Sequence, residues 1–133
     1  MKIKKFLAKI LVCLIMIFSL GSCIAEKEVC GTYNLISMTG VPGFSEDSYE
    51  YNRIILERNY EFTIENKDIY YGIKTKQTGK WDLNKEKDEI TFVIKQGSRE
   101  TEEVYEYRYD EKQIVMSTML EGYHITMVFQ LED

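Results

Sequence analysis

Apolar and polar residues alternate one by one along much of this chain, and a two-residue period predicts strands rather than helices. Tyr60-Glu61-Phe62-Thr63-Ile64-Glu65 alternates strictly, and Glu89-Ile90-Thr91-Phe92-Val93-Ile94 nearly repeats the pattern. Near the C-terminus Tyr123, Ile125, Met127, Phe129 and Leu131 share one parity, opposed by His124, Thr126, Val128 and Gln130. A helix would scatter these residues around its axis, whereas a strand places them on one side. Turn-forming clusters at Arg58-Asn59, Asn66-Lys67-Asp68, Asn84 to Asp88, Gly97-Ser98, Asp110-Glu111 and Glu121-Gly122 punctuate the runs. They predict about eight strands: 31–37, 51–57, 60–65, 69–74 running with a break into 78–83, 88–95, 103–109, 113–119 and 123–131. Short connections favour an antiparallel meander. The one long connection, Met38 to Glu50, holds Gly40, Pro42 and Gly43 and reads as an irregular lid or a short helical turn. A closed barrel removes the exposed edges that an open sheet would leave. The expected fold is therefore all-β, an antiparallel up-and-down β-barrel of about eight strands.

The start of the chain breaks this pattern. Lys2, Lys4, Lys5 and Lys9 precede an apolar run from Ile10 to Leu20 interrupted only by Ser19. Eleven residues suit the h-region of a signal peptide, roughly 7–15 residues, and fall short of the roughly 20 needed to span a bilayer. Leu20-Gly21-Ser22-Cys23 follows and resembles the bacterial lipobox, with an aliphatic residue, two small residues and an acceptor cysteine. That resemblance implies a signal peptide over 1–22, cleavage before Cys23, lipid on the Cys23 thiol and a short polar tether over 23–29. The barrel domain is then 30–133. The expected location is the outer side of a cell membrane or outer membrane, held by acyl chains. Ile24 follows the cysteine, so an aspartate signal for inner-membrane retention is absent; that matters only in a two-membrane cell.

Cleavage sharpens the charge balance. All 22 acidic residues lie beyond the signal, while four of the 17 basic ones lie within it, leaving 13 against 22 and a formal −9 in the mature chain. Such a surface repels nucleic acid and anionic headgroups, so no nucleic-acid partner is expected, and only the acyl chains draw the protein to the membrane. With Cys13 in the signal and Cys23 lipidated, Cys30 is the single remaining thiol, which excludes an intramolecular disulfide in the mature chain.

A family resemblance covers most of 30–131. Gly31-Thr32-Tyr33-Asn34-Leu35, then Gly79-Lys80-Trp81-Asp82-Leu83 with Asp88-Glu89-Ile90-Thr91-Phe92, and the closing Met127-Val128-Phe129 look like small lipocalin-like bacterial lipoproteins. The family opens with a glycine two positions before an aromatic residue that plugs the base of the barrel. Here Tyr33 stands where tryptophan is commoner, and the last strand offers no arginine to cover it. The resemblance implies an eight-stranded barrel; such barrels host many unrelated roles.

The residue inventory argues against catalysis. Ser-His-Asp and Cys-His mechanisms need an imidazole beside the nucleophile, and the one histidine, His124, has outward parity. If the last strand closes on the first, Cys30 falls near Leu131 and His124 near Ser37, well apart. One histidine and one free cysteine cannot build the usual zinc site, and the acids Glu100, Glu102, Glu103, Asp110 and Glu111 lack EF-hand spacing and read as solvated turns and outer faces. Glu61, Glu65, Glu89 and Glu106 alternate with apolar residues and so take the outer face. No enzyme activity, metal or cofactor is expected.

Aromatic residues remain. All ten tyrosines lie beyond the signal. Tyr33, Phe62, Tyr71, Trp81, Phe92, Tyr105, Tyr107 and Met127 have the parity of a barrel lining. Two readings follow. In one, they line a cavity for a small apolar or amphipathic ligand. In the other they fill the barrel, and the protein is an envelope interaction module of the inhibitor or immunity type. The state of the interior separates the two.

Overall fold

The computed structural model describes residues 28–133. The signal segment, Cys23 and most of the tether lie outside the described residues. Eight strands follow in chain order: β1 (Gly31–Thr39), β2 (Tyr49–Leu56), β3 (Glu61–Asp68), β4 (Lys74–Asn84), β5 (Glu89–Gln96), β6 (Arg99–Asp110), β7 (Gln113–Leu120) and β8 (Tyr123–Leu131). Each pairs antiparallel with the next, and β8 returns to β1, closing the barrel. The expected all-β up-and-down barrel is what forms.

Closure gives the molecule two unlike ends. The chain enters at the base, where Val29 is already buried although the sequence reads it as tether. The turns at 57–60, 85–88 and 111–112 share this base, and Leu131 and Glu132 close it by donating backbone hydrogen bonds to the Lys112 and Thr32 carbonyls. The opposite end, the rim, carries the connections at 40–48, 69–73, 97–98 and 121–122.

Three details differ from expectation. The β8–β1 register pairs Tyr33 with Leu131 and Thr39 with Thr126, not Cys30 with Leu131, and a bulge between Leu35 and Ser37 pushes Ile36 outward. Asn66-Lys67-Asp68 is not a turn: it continues β3, with Asn66 between Asn52 and Thr75. Cross-strand pairing on both sides overrides the local turn preference. The expected break then vanishes, and 69–73 becomes the turn that leads into one long β4. The Met38 to Glu50 connection does contain a short helical turn, Glu46–Ser48, capped by Ser45.

Inward positions are set by strand parity. Ladder partners Leu56–Phe62, Phe62–Gly79, Gly79–Ile94, Trp81–Phe92, Ile90–Tyr105 and Ile114–Phe129 all face inside. Gly79 is needed there, because a Cβ would collide with the Val93 carbonyl oxygen and come within 2.9 Å of the Phe62 ring. Glu61, Glu65 and Glu89 face out as expected, opposite Lys80, Arg53 and Glu106.

Candidate functional site

Tyr33 seals the base. Its ring is 0% exposed and its hydroxyl donates to the Val29 carbonyl oxygen at 2.8 Å, so the residue standing at the plug position is fully enclosed. Above it the interior is occupied by rings. Phe62 and Phe92 meet edge-on at 5.0 Å, Phe92 and Tyr105 at 5.8 Å, and the Trp81 indole N–H donates to the Glu57 carbonyl at 3.1 Å. Tyr107 and Met127, both half-buried, pack against this cluster. Seven of the eight expected lining residues therefore meet inside the barrel.

Tyr71 does not. It lies in the 69–73 turn and is 83% exposed, because β3 ends at Asp68 and the chain leaves the wall there. The Asp68 side chain fixes the turn by accepting from the Tyr71 and Gly72 backbone N–H groups at 2.7 and 3.1 Å, and Gly72 supplies the φ of +66° that the reversal needs.

Tyr71 belongs instead to an exposed apolar rim. Phe44, Ile69, Tyr70, Tyr71, Ile73, Met119, Leu120 and Tyr123 are large hydrophobic residues with at least half of their surface in solvent, and all lie at the end opposite the chain entry. They come from three of the four rim connections. The Phe44 ring stacks edge-on with Tyr70 at 6.5 Å, and Ile69 donates its N–H to the Ser48 carbonyl, tying the 40–48 loop to the neighbouring turn. Glu46 anchors that loop to β1 by accepting from the Met38 N–H at 3.1 Å; hydrogen bonds from the Glu46 and Met38 backbones hold its carboxyl below the ordinary range. The remaining rim connection, 97–98, is polar. An apolar arc of this kind, confined to one end, is the type of surface that partners cover.

Inside the rim, the upper layer of the interior mixes polar and apolar side chains. Inward parity places Asn52 opposite Asn66, Gln77 opposite Ile64, Glu103 opposite Phe92 and Thr118 opposite Ile125. Glu103 thus corrects the expectation that it belongs to a solvated outer cluster. It shares parity with Tyr105, Tyr107 and Tyr109, a signal already present in the spacing of β6. Its Oε2 accepts from the Tyr105 hydroxyl at 2.7 Å.

Other chemistry-bearing groups do not converge. His124 stands on the outer wall opposite Met119 in a shallow cleft with Glu89, Glu106 and Ser117, and the Ser117 hydroxyl lies 3.3 Å from that of Thr126. Among the described residues no cluster of three or more His, Cys, Asp or Glu side chains is placed to hold a metal ion. Cys30 is half-buried at the base and is not in a disulfide.

Two enclosed phenols, Tyr33 buried and Tyr105 half-buried, should make the domain sensitive to alkali. Burial pushes the Tyr33 hydroxyl well above its ordinary range, reinforced by Tyr109 and Cys30; burial and then the Glu103 carboxylate do the same for Tyr105. Above about pH 10 the unfolded chain loses these protons while the folded chain keeps them, so the folded state binds more protons and stability falls as pH rises. Urea midpoints should hold steady to about pH 9 and drop by pH 11, with a shallower drop in Tyr33→Phe; identical profiles for the two proteins would contradict this assignment.

What the residues and geometry define is a closed eight-stranded antiparallel barrel, sealed at its base by Tyr33, packed with rings and bearing an exposed apolar arc at its rim. No known family model matches the chain, and no curated protein matches it.

Proposed function

We propose that this protein is a lipid-anchored, extracytoplasmic interaction module that docks a protein partner on the apolar rim of its barrel. The observation that carries the reading is the division of apolar surface: rings pack on one another in the interior, while eight large hydrophobic side chains stand exposed at one end. A carrier for a small apolar ligand would keep its apolar surface around a hollow. Here Phe62, Phe92 and Trp81 are consumed by contacts with each other and with the walls.

The anchor fits the same picture. Lipid on Cys23 would hold the base toward the bilayer, since the five residues 24–28 can span at most about 18 Å. The rim then points away from the membrane, toward other envelope proteins. A lipid surface is a poor occupant for it, because the membrane that holds the anchor lies at the other end.

Photo-crosslinking in living cells tests the reading. A benzophenone side chain at Tyr71 or Leu120 should give one dominant protein adduct, and the same group at Glu132 on the base should not give it. Adding Tyr70→Ser and Ile73→Ser should reduce that adduct by about tenfold or more without moving the unfolding midpoint, because both residues are exposed. Equal labelling from rim and base, or a tightly held lipid seen by native mass spectrometry of the untreated protein, would overturn it in favour of the ligand-carrying reading.

A further inference from the structure

The wall of the barrel is not paired along its whole height. Between β6 and β7 the ladder runs from Asp110–Gln113 at the base to Glu106–Ser117 and stops there, although β6 continues up to Arg99. Carried on in the same register, Leu120 at the end of β7 would stand opposite Glu103. Arg99 to Glu102 therefore rise above β7 and pair with β5 alone. Two hydrogen bonds show which backbone groups face the missing neighbour. Tyr107 donates its N–H to the Asp88 carbonyl on the β5 side, and the Val104 carbonyl accepts from the Thr118 hydroxyl of β7 at 3.4 Å. Backbone groups alternate along a strand, so Thr101 and Glu103 bond toward β5, while Glu100, Glu102 and Val104 turn their N–H and carbonyl groups the other way. At Glu100 and Glu102 those groups have no strand partner among the described residues.

A free strand edge is a template for another strand. This one adjoins the apolar rim: Val104, 42% exposed, and Met119 of the rim line one cleft on the outer wall. The outward side chains along the edge are acidic. Glu100 and Glu102 are exposed above the cleft, and Glu106 lies in it directly opposite Glu89. Of these four carboxylates only Glu100 has an ion pair among the described residues, a loose and exposed one with Lys95 at 3.9 Å. Pairing between two copies of this edge would set carboxylates against carboxylates, which destabilises a ladder, so a second copy is a poor occupant. The tether is another poor one, because the chain enters the barrel at the opposite end.

We infer that the protein docking on the rim adds a basic, extended segment to the free edge of β6, antiparallel to Glu100 and Glu102. The inference rests on the docking function proposed above and names the chemistry of the partner. Backbone hydrogen bonds to Glu100 and Glu102 set the register of the added strand. Its residues opposite them carry their side chains on the outer face, where lysine or arginine meets Glu100, Glu102 and, one step down the strand, Glu106. A formal −9 on the mature chain draws a basic partner at long range. The charges that blunt self-pairing of the edge are the ones that select this occupant.

The test uses the full chain in neutral maltoside micelles, titrated with an N-acetylated, C-amidated hexapeptide that alternates lysine with threonine. Amide hydrogen exchange is read by NMR. The Glu100 and Glu102 amides should exchange about tenfold or more slowly at saturation, while those of Thr101 and Glu103, already bonded to β5, change little. In an antiparallel added strand the lysine amides face β6. Methylating them should abolish the protection, and methylating the threonine amides, which face away, should leave it. Glu102→Lys should weaken binding about tenfold or more, and because the side chain is exposed its unfolding midpoint should not move. No protection at Glu100 and Glu102, equal protection from the two methylated peptides, or an undiminished response in Glu102→Lys would overturn the inference. So would protection that grows with protein concentration in the absence of peptide, which would give the edge to a second copy. Rim crosslinking that survives alongside a failed titration removes the added strand alone, and a successful titration without rim crosslinking removes the docking reading instead.

Discussion

Replacing Tyr33 with alanine should lower the stability of the barrel by about 3–5 kcal/mol, the range for deleting a large buried ring. The side chain is 0% exposed, lies at the base between β2 and β8, and hydrogen-bonds Val29 at the point where the chain enters. Its loss would leave a cavity and orphan the Val29 carbonyl together. A domain of this size has total stability of only about 5–15 kcal/mol, with no disulfide among its described residues to add to it. Tyr33→Phe separates the two contributions: it keeps the ring, loses the hydrogen bond, and should cost about 1–2 kcal/mol. Equilibrium unfolding in urea measures both. A cost below about 1 kcal/mol for Tyr33→Ala would mean the base collapses over the gap, and Tyr33 would lose its place as the plug.

The plug was legible through the resemblance, which implies an aromatic residue at the barrel base two positions after Gly31. Phe62, Trp81, Phe92 and Tyr105 were legible by parity, and their alternation survives in the ladders. Tyr71 was misplaced because Ile69, Tyr70 and Ile73 have strong strand preference and look like core. Only cross-strand pairing reveals that β3 runs on to Asp68 and that these residues turn at the rim. Hydrophobicity alone cannot distinguish a residue that fills a barrel from one that crowns it. Glu103 was missed for the opposite reason: its charge suggested solvent, while its parity with Tyr105 already placed it inside. The β8–β1 register depends on the bulge at Ile36, a single inserted residue for which the alternation of β1 gives no warning.

In cells producing Cys23→Ser, the protein should carry no acyl label and should leave the membrane fraction or persist as an uncut precursor. The expected size of the effect follows from the lipid. Each buried methylene contributes about 0.8 kcal/mol, so one long chain gives marginal, reversible binding and two give anchoring that is stable over the life of the protein. Serine offers no thiol to alkylate. Cys30→Ser is the matched control: its side chain lies half-buried in the barrel base and should leave labelling intact. Palmitate labelling followed by alkaline extraction distinguishes the outcomes, and a normally sized, lipid-bearing product from Cys23→Ser would sink the anchor. The folded domain should be unaffected, because Val29 and Tyr33 close the base without the lipid. A cleaved, soluble Cys23→Ser barrel should therefore keep its unfolding midpoint. On the docking reading proposed above, it should still lose crosslinking to a membrane-resident partner, since tethering raises the effective concentration of two proteins held at one surface.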